Sequence, residues 1–120
     1  MDFLKFENEV MSHILKEEDP TPDKRLVEQY KIAEVTDRKF TGRGFFTDYE
    51  IPDGKYRLDD DSLSTTLGNI GANINDLKHG VGFVVFIKNG LLSCLEGYTY
   101  GEEWFGEVNN YEIYRNEVTQ

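Results

Sequence analysis

Acidic and aromatic side chains are concentrated in one short stretch, LEGYTYGEEW at 95–104, which begins where the apolar run VGFVVFIKNGLLSCL at 81–95 ends. Carboxylates can act as general acids or bases, and rings with polar tips are frequent in interfaces and at rims that bind sugars or cations. The stretch is therefore an active-site rim, a docking surface for a partner, or a solvated loop anchored by its rings. Its candidate residues are Glu96, Tyr98, Tyr100, Glu102, Glu103 and Trp104.

Asn89 and Gly90 predict a tight hairpin turn within the apolar run, because both central residues of a type I′ turn need positive φ. A two-residue loop fixes the register of the strands that it joins. The predicted cross-strand pairs are Lys88 with Leu91, Val85 with Cys94, Phe83 with Glu96, and Gly82 with Gly97.

In that register Glu96 lies on one strand face with apolar neighbours such as Phe83, Cys94 and Tyr98. A carboxylate there reaches solvent, pairs with a base, or has a raised pKa that suits a general acid or base. Arg43 and His79 are further candidates, and with Tyr98 they would support Glu96 in an enzyme or a small-molecule binder.

Gly82 and Gly97, if paired, leave a gap in the side-chain layer through which a helix or a ligand can approach the backbone. The N-terminal residues Phe3, Phe6 and Val10 have the spacing of an apolar helical stripe. That helix is the expected occupant of the gap, and a bound ligand is the alternative.

Motifs for cofactors and metals do not reach the required spacing. TGRG at 41–44 lacks the third glycine of a dinucleotide fingerprint, and the acidic turn at 59–61 lacks the spacing of a calcium loop. His13 and His79 have no neighbours at ligand spacing, and Cys94 lies mid-strand, where a thiol is usually inert. We therefore predict neither a cofactor nor a metal.

The chain of 120 residues carries 23 acids and 13 bases, a formal net charge of −10. Such a charge repels nucleic acid and anionic membranes and attracts basic partners. The first ten residues, MDFLKFENEV, do not have the pattern of a signal peptide, and no apolar run is long enough to cross a bilayer. With a single cysteine, these features predict a cytoplasmic protein.

Periodicity predicts an α+β fold of a single domain over residues 1–120, with two N-terminal helices packed on a mostly antiparallel sheet of about six strands. The helices are expected over residues 3–15 and 22–31, the second capped by Thr21 and Pro22. Two strands are expected to meet near Gly42 and Gly44, a third to cover LGNIGANI at 67–74, and the last to cover 111–115.

Three segments resemble a family of small bacterial proteins of unassigned function. They are FTGRGFFTD at 40–48, HGVGF at 79–83 and LEGYTYGEEW at 95–104, in the same order as in the family. The family pattern has proline after the tryptophan, where this chain has Phe105. The resemblance implies a bacterial cytosolic origin and an intact single domain, and it implies no activity.

Three functional hypotheses follow. The first is a non-enzymatic module that binds a basic protein, in the manner of an immunity protein or antitoxin, through its acidic surface and aromatic rim. The second is a small enzyme or small-molecule binder that uses Glu96 as acid or base. The third is a homodimer joined through a sheet edge or the N-terminal helix.

Overall fold

The computed structural model describes residues 3–17, 24–60, 64–75 and 77–115. It contains two helices and six strands, and this confirms the α+β class with an antiparallel sheet. The helices are α1 (Phe3–Glu17) and α2 (Lys24–Ile32), and the strands are β1 (Glu34–Phe40), β2 (Gly44–Glu50), β3 (Thr65–Ile74), β4 (Val81–Lys88), β5 (Leu91–Thr99) and β6 (Tyr111–Arg115). The cap predicted at Thr21 and Pro22 lies outside the described residues.

The strands form one sheet in the order β1-β2-β5-β4-β3-β6, and every neighbouring pair is antiparallel. The predicted hairpin of β4 and β5 is thus at the centre of the sheet, and β1 and β6 are its edges. β1 is mostly exposed and carries a bulge at Thr36, where the register with β2 shifts. The last strand covers the residues predicted for it.

One face of the sheet, the core face, is buried beneath apolar side chains of α1. Phe6, Val10, Met11 and Ile14 of α1 are fully buried, as the helical stripe predicts. The Phe6 ring contacts Phe83 of β4, with ring centroids 5.7 Å apart. The strands contribute alternate residues to this face, which are Phe45, Thr47 and Tyr49 of β2, Ile70, Ala72 and Ile74 of β3, and Val81, Phe83, Val85 and Ile87 of β4.

The central hairpin corrects the predicted register. Asn89 and Gly90 have φ of 53° and 76°, as a type I′ turn requires. The pairing starts as predicted, with Lys88 opposite Leu91, but the register then shifts, so that Ser93 is an extra residue in β5. The observed pairs beyond it are Phe86 with Cys94, Val85 with Leu95, Val84 with Glu96, Phe83 with Gly97, and Gly82 with Tyr98.

The bulge at Ser93 has a physical reason. Without it, strict alternation from Leu92 would turn Glu96 towards the core and Leu95 away from it. One extra residue reverses the faces, so that Leu92 and Leu95 are both buried and Glu96 is only half-buried. Burying a leucine is favourable and burying an unpaired carboxylate is costly, and both effects favour the bulged register.

Gln29 connects α2 to the tip of this hairpin. Its side chain is fully buried, and its Nε2 donates to the carbonyl oxygens of Tyr56 and Gly90, at 2.8 and 3.1 Å. Its Oε1 accepts from the backbone N–H of Leu92 at 2.7 Å. One amide thus bonds three backbone groups, and it holds α2 against β5.

We expect Gln29→Leu to lower the free energy of unfolding by about 3 kcal/mol, because it removes these bonds and leaves the buried Leu92 N–H without an acceptor. Urea denaturation followed by circular dichroism measures the change. Glu28→Ala, one residue away and in a surface pair with Lys31, is the control and should change stability by no more than about 0.5 kcal/mol. Equal losses in the two variants would contradict the role of Gln29.

Candidate functional site

The second face of the sheet, here called the open face, is opposite the core face. Its cross-strand neighbours run from β2 through β5 to β4: Phe46, Glu96 and Val84 form one row, and Asp48, Cys94 and Phe86 form the next. In a third row Tyr98 lies between Gly44 and Gly82. Phe46 is 38% exposed and Tyr100, just beyond β5, is 54% exposed.

Glu96 lies in the middle of the open face, and its predicted surroundings are corrected accordingly. It is flanked by Phe46 and Val84, and it shares the face with Cys94 and Tyr98 but not with Phe83. Asp48 is a second carboxylate on the face, opposite Cys94. Partial burial raises the pKa of Glu96 above its ordinary value.

Tyr98 and Tyr100 form an aromatic platform at one end of the open face. Their ring centroids are 5.7 Å apart and the planes are nearly perpendicular, at 75°. The Tyr98 ring lies over Gly82, where a Cβ would be 2.6 Å from its Cζ atom. Burial, and after it the neighbouring Tyr100, raise the pKa of Tyr98.

The two glycines predicted to leave a common gap are therefore filled separately. Gly82 accommodates the Tyr98 ring on the open face, whereas a Cβ at Gly97 would overlap the Phe45 ring in the core. Because the register shift moves them out of opposition, no shared gap exists between them for a helix or a ligand. The Tyr98 and Phe45 rings occupy the space above the two glycines, which α1 was predicted to fill.

Trp104 anchors the loop that follows β5. It is 4% exposed, its ring contacts Phe45, and its Nε1 donates to the Glu107 carbonyl at 2.9 Å. Its backbone N–H donates to the Gly42 carbonyl at 2.8 Å, beside a short bridge to Arg43. Of the alternatives for this stretch, a loop anchored by its rings describes Trp104, because the buried indole has little surface left for a partner.

Glu102 has a structural contact as well. Its carboxylate accepts from the backbone N–H groups of Lys78 and His79, both at 3.0 Å, and these bonds lower its pKa. Glu102 and Glu103 border a cleft of about 700 Å³. Glu103, Arg43 and His79 are exposed.

The structure thus divides the predicted candidates into two groups. Glu96, Tyr98 and Tyr100 come together on the open face. The other five candidates lie in the loop beyond β5 or contact it. They are Glu102, Glu103, Trp104, Arg43 and His79.

A polar site on the helical side was missed by the sequence reasoning. Glu7 of α1 is 4% exposed and pairs with Arg38 of β1, with Oε1 2.7 Å from Nη2. Thr47 donates its hydroxyl to Glu7 Oε2 at 2.6 Å. The spacing of the residues could have indicated it. Glu7 follows Phe3 by four residues and precedes Val10 by three, so it lies within the apolar stripe of the helix.

Glu7 lines a cavity of about 410 Å³, here called the slot, between α1, α2 and the strands β1 and β2. Tyr30 and Tyr49 also line it, with ring centroids 6.0 Å apart. Burial, and after it the Glu7 carboxylate, raise the pKa of Tyr30 to about 12.

Cys94 lies on the open face rather than within the core. Burial and the neighbouring Asp48 raise the pKa of its thiol to about 12, so the thiol stays protonated at neutral pH. Across the described residues, no group of three or more His, Cys, Asp or Glu side chains is placed to hold a metal ion. Neither described helix is long and apolar enough to span a membrane.

Comparison with protein-family models, with curated proteins and with solved structures finds no match to this chain.

The glycine contacts predict unequal effects of an added methyl group. Gly97→Ala should lower the free energy of unfolding by about 3 kcal/mol, because the enclosed Phe45 ring cannot move away. Gly82→Ala should cost only about 1 kcal/mol, because Tyr98 can turn towards solvent. Gly68→Ala, whose Cβ would make an ordinary contact at 3.5 Å, is the control for chemical denaturation. A larger loss of stability in Gly82→Ala than in Gly97→Ala would contradict the faces assigned to the two glycines.

The raised pKa of Glu96 predicts a pH dependence of stability. The pKa of Glu96 in the folded protein exceeds the unfolded value of about 4.5. The contribution of protonated Glu96 to the free energy of unfolding is therefore fully present below pH 4.5, and it is lost as the pH rises through the folded pKa. Glu96→Gln should therefore be more stable than the wild type at neutral pH, and the difference should vanish in acid. Denaturation across pH and an NMR titration of the Glu96 carboxyl measure the two quantities.

Glu112→Gln, on the exposed part of β6, controls for the loss of one negative charge. A Glu96 pKa at its ordinary value would show that the open face does not desolvate this carboxylate.

Proposed function

We propose that the protein is a non-enzymatic binding module that docks a basic protein partner on its open face, in the manner of an immunity protein or antitoxin. The observation that carries the proposal is the exposure of Phe46 and Tyr100 on a sheet face where Phe46, Phe86, Tyr98 and Tyr100 surround Glu96. We further propose that the two helices together cover the core face alone, and that the module acts in the bacterial cytoplasm.

The composition of the open face supports a protein partner. Aromatic residues are enriched in the cores of protein interfaces because they bury a large area with little loss of conformational freedom. Phe46 and Tyr100 are both more than one-third exposed, at 38% and 54%. They provide apolar area for a hot spot, and Tyr98, whose ring lies over Gly82 and beside Tyr100, extends it.

The charge of the chain supports a basic partner. A net charge of −10 attracts cationic surfaces over distances of about 10 Å, and this speeds association at low salt. Glu96 and Asp48 place carboxylates within the aromatic surface itself, where a partner's lysine or arginine would be desolvated. Exposed Glu103 extends the negative surface beyond the end of β5.

Use of Glu96 as an acid or base towards a small molecule is the second candidate function. The observation that favours it is the raised pKa of Glu96 beside Tyr98. The backbones of the other proposed supports contact the end of β5 and the loop beyond it: the Arg43 carbonyl accepts from Thr99, and the His79 N–H donates to Glu102. The open face therefore favours docking over catalysis.

Affinity capture from a lysate of the source organism tests the proposal. The wild type should retain a basic protein at low salt and release it at high salt. The double variant Phe46→Ser, Tyr100→Ser should bind that protein, once purified, at least about tenfold more weakly, because it loses two exposed rings of the docking surface.

The matched control is Leu4→Ser, Tyr56→Ser, which removes two exposed side chains of similar size from α1 and from the loop after β2. It should bind like the wild type. Equal loss in both double variants, or no salt-sensitive partner at all, would contradict the proposal. Sedimentation of the pure protein as a dimer that the open-face variant dissociates would instead identify a second copy of the chain as the occupant.

A further inference from the structure

Tyr49 has a buried hydroxyl that the fold leaves unsatisfied. The residue is 8% exposed, and its hydroxyl oxygen has no hydrogen-bond partner among the described residues. Burial, then the Glu7 carboxylate and then Tyr30, raise the pKa of Tyr49. Tyr49 lines the slot together with Glu7 and Tyr30, two groups whose charges act on its hydroxyl.

An unpaired buried hydroxyl costs about 1–3 kcal/mol, so its presence requires an explanation. The surrounding polar groups do not supply a partner, because they are already engaged with one another. Glu7 accepts from Arg38 and Thr47, and the Tyr30 hydroxyl donates to Asn8 Oδ1 at 3.0 Å. Tyr49 is therefore free to donate to, or accept from, a molecule in the slot.

The charges around the slot are already balanced. Glu7 and Arg38 form a bidentate pair, with a second contact of 3.2 Å from Nε to Oε2. At the rim, Lys31 pairs with Glu28 at 3.1 Å. A charged occupant would leave one charge uncompensated in a half-buried site, which is costly. The electrostatics of the slot therefore favour a neutral occupant.

Apart from Ser12, the remaining lining is apolar. Leu15, Val27, Ala33 and Val35 face the slot, and its volume of about 410 Å³ is within the range of small-molecule sites. Val35 is 45% exposed at this surface, an aliphatic side chain that an occupant would cover.

We propose that the slot binds a small neutral molecule that carries one hydroxyl or amide group on a compact apolar frame. The polar group bonds the Tyr49 hydroxyl, and the frame packs against Leu15, Val27 and Val35. This site is on the helical side of the sheet, and it does not depend on the docking of a partner at the open face.

Binding of p-cresol, with toluene as the matched probe that lacks the hydroxyl, tests the proposal by NMR of the isotope-labelled protein. We expect saturable shifts at Val27, Val35 and Tyr49 with p-cresol, and about three- to tenfold weaker binding of toluene, as one hydrogen bond requires. Ala33→Leu, which narrows the slot, should weaken the shifts with both probes.

Tyr49→Phe isolates the hydrogen bond. It should bind both probes equally, and the free variant should unfold at the same or a higher temperature than the wild type, because it loses an unsatisfied hydroxyl. Tyr56→Phe, an exposed tyrosine outside the slot, is the control and should keep the preference for p-cresol.

Absence of shifts with p-cresol, or equal binding of the two probes by the wild type, would overturn the proposal. A marked destabilisation of Tyr49→Phe would overturn it as well, since it would show that the hydroxyl has a partner within the protein.

Discussion

The bulge at Ser93 is the constraint on which both faces of the sheet depend. It allows Leu92 and Leu95 to be buried together, and it places the next side chain, that of Glu96, on the opposite face. Gly97 is thereby turned to the core, where the Phe45 ring needs the space that a Cβ would take. The same residue of extra length brings Tyr98 over Gly82. One local irregularity thus determines both the packing of the core and the composition of the open face.

Buried polar contacts complement this arrangement on the helical side. Apolar packing alone allows a helix to slide or rotate on a sheet, whereas a hydrogen bond of fixed geometry does not. Glu7 fixes α1 to β1 and β2 through Arg38 and Thr47, and Gln29 fixes α2 to the turn between β4 and β5. The slot is lined by both helices. Each helix is held to the sheet by its own polar contacts, so the walls of the slot are positioned independently of each other.

Local features were predictable from the sequence and long-range ones were not. The Asn89–Gly90 turn, the two strands that meet near Gly42 and Gly44 and the last strand depend on neighbouring residues, and the structure has all of them. A turn, however, fixes the register only of the pairs beside it, and the burial of Leu95 decided the rest. Glu7 and Gln29 were missed because their partners are distant in sequence: Arg38 is 31 residues from Glu7, and Leu92 is 63 from Gln29.

The irregular edge strand β1 has a consequence for behaviour at high concentration. A long, flat edge can add strands from other molecules and nucleate fibrils. Here the bulge at Thr36 interrupts the ladder, and the charged residues Asp37, Arg38 and Lys39 follow it directly. Growth of the sheet by a seventh strand is therefore disfavoured at β1. The aromatic side chains of the open face can then be kept without the hazard of amyloid-like assembly from this edge.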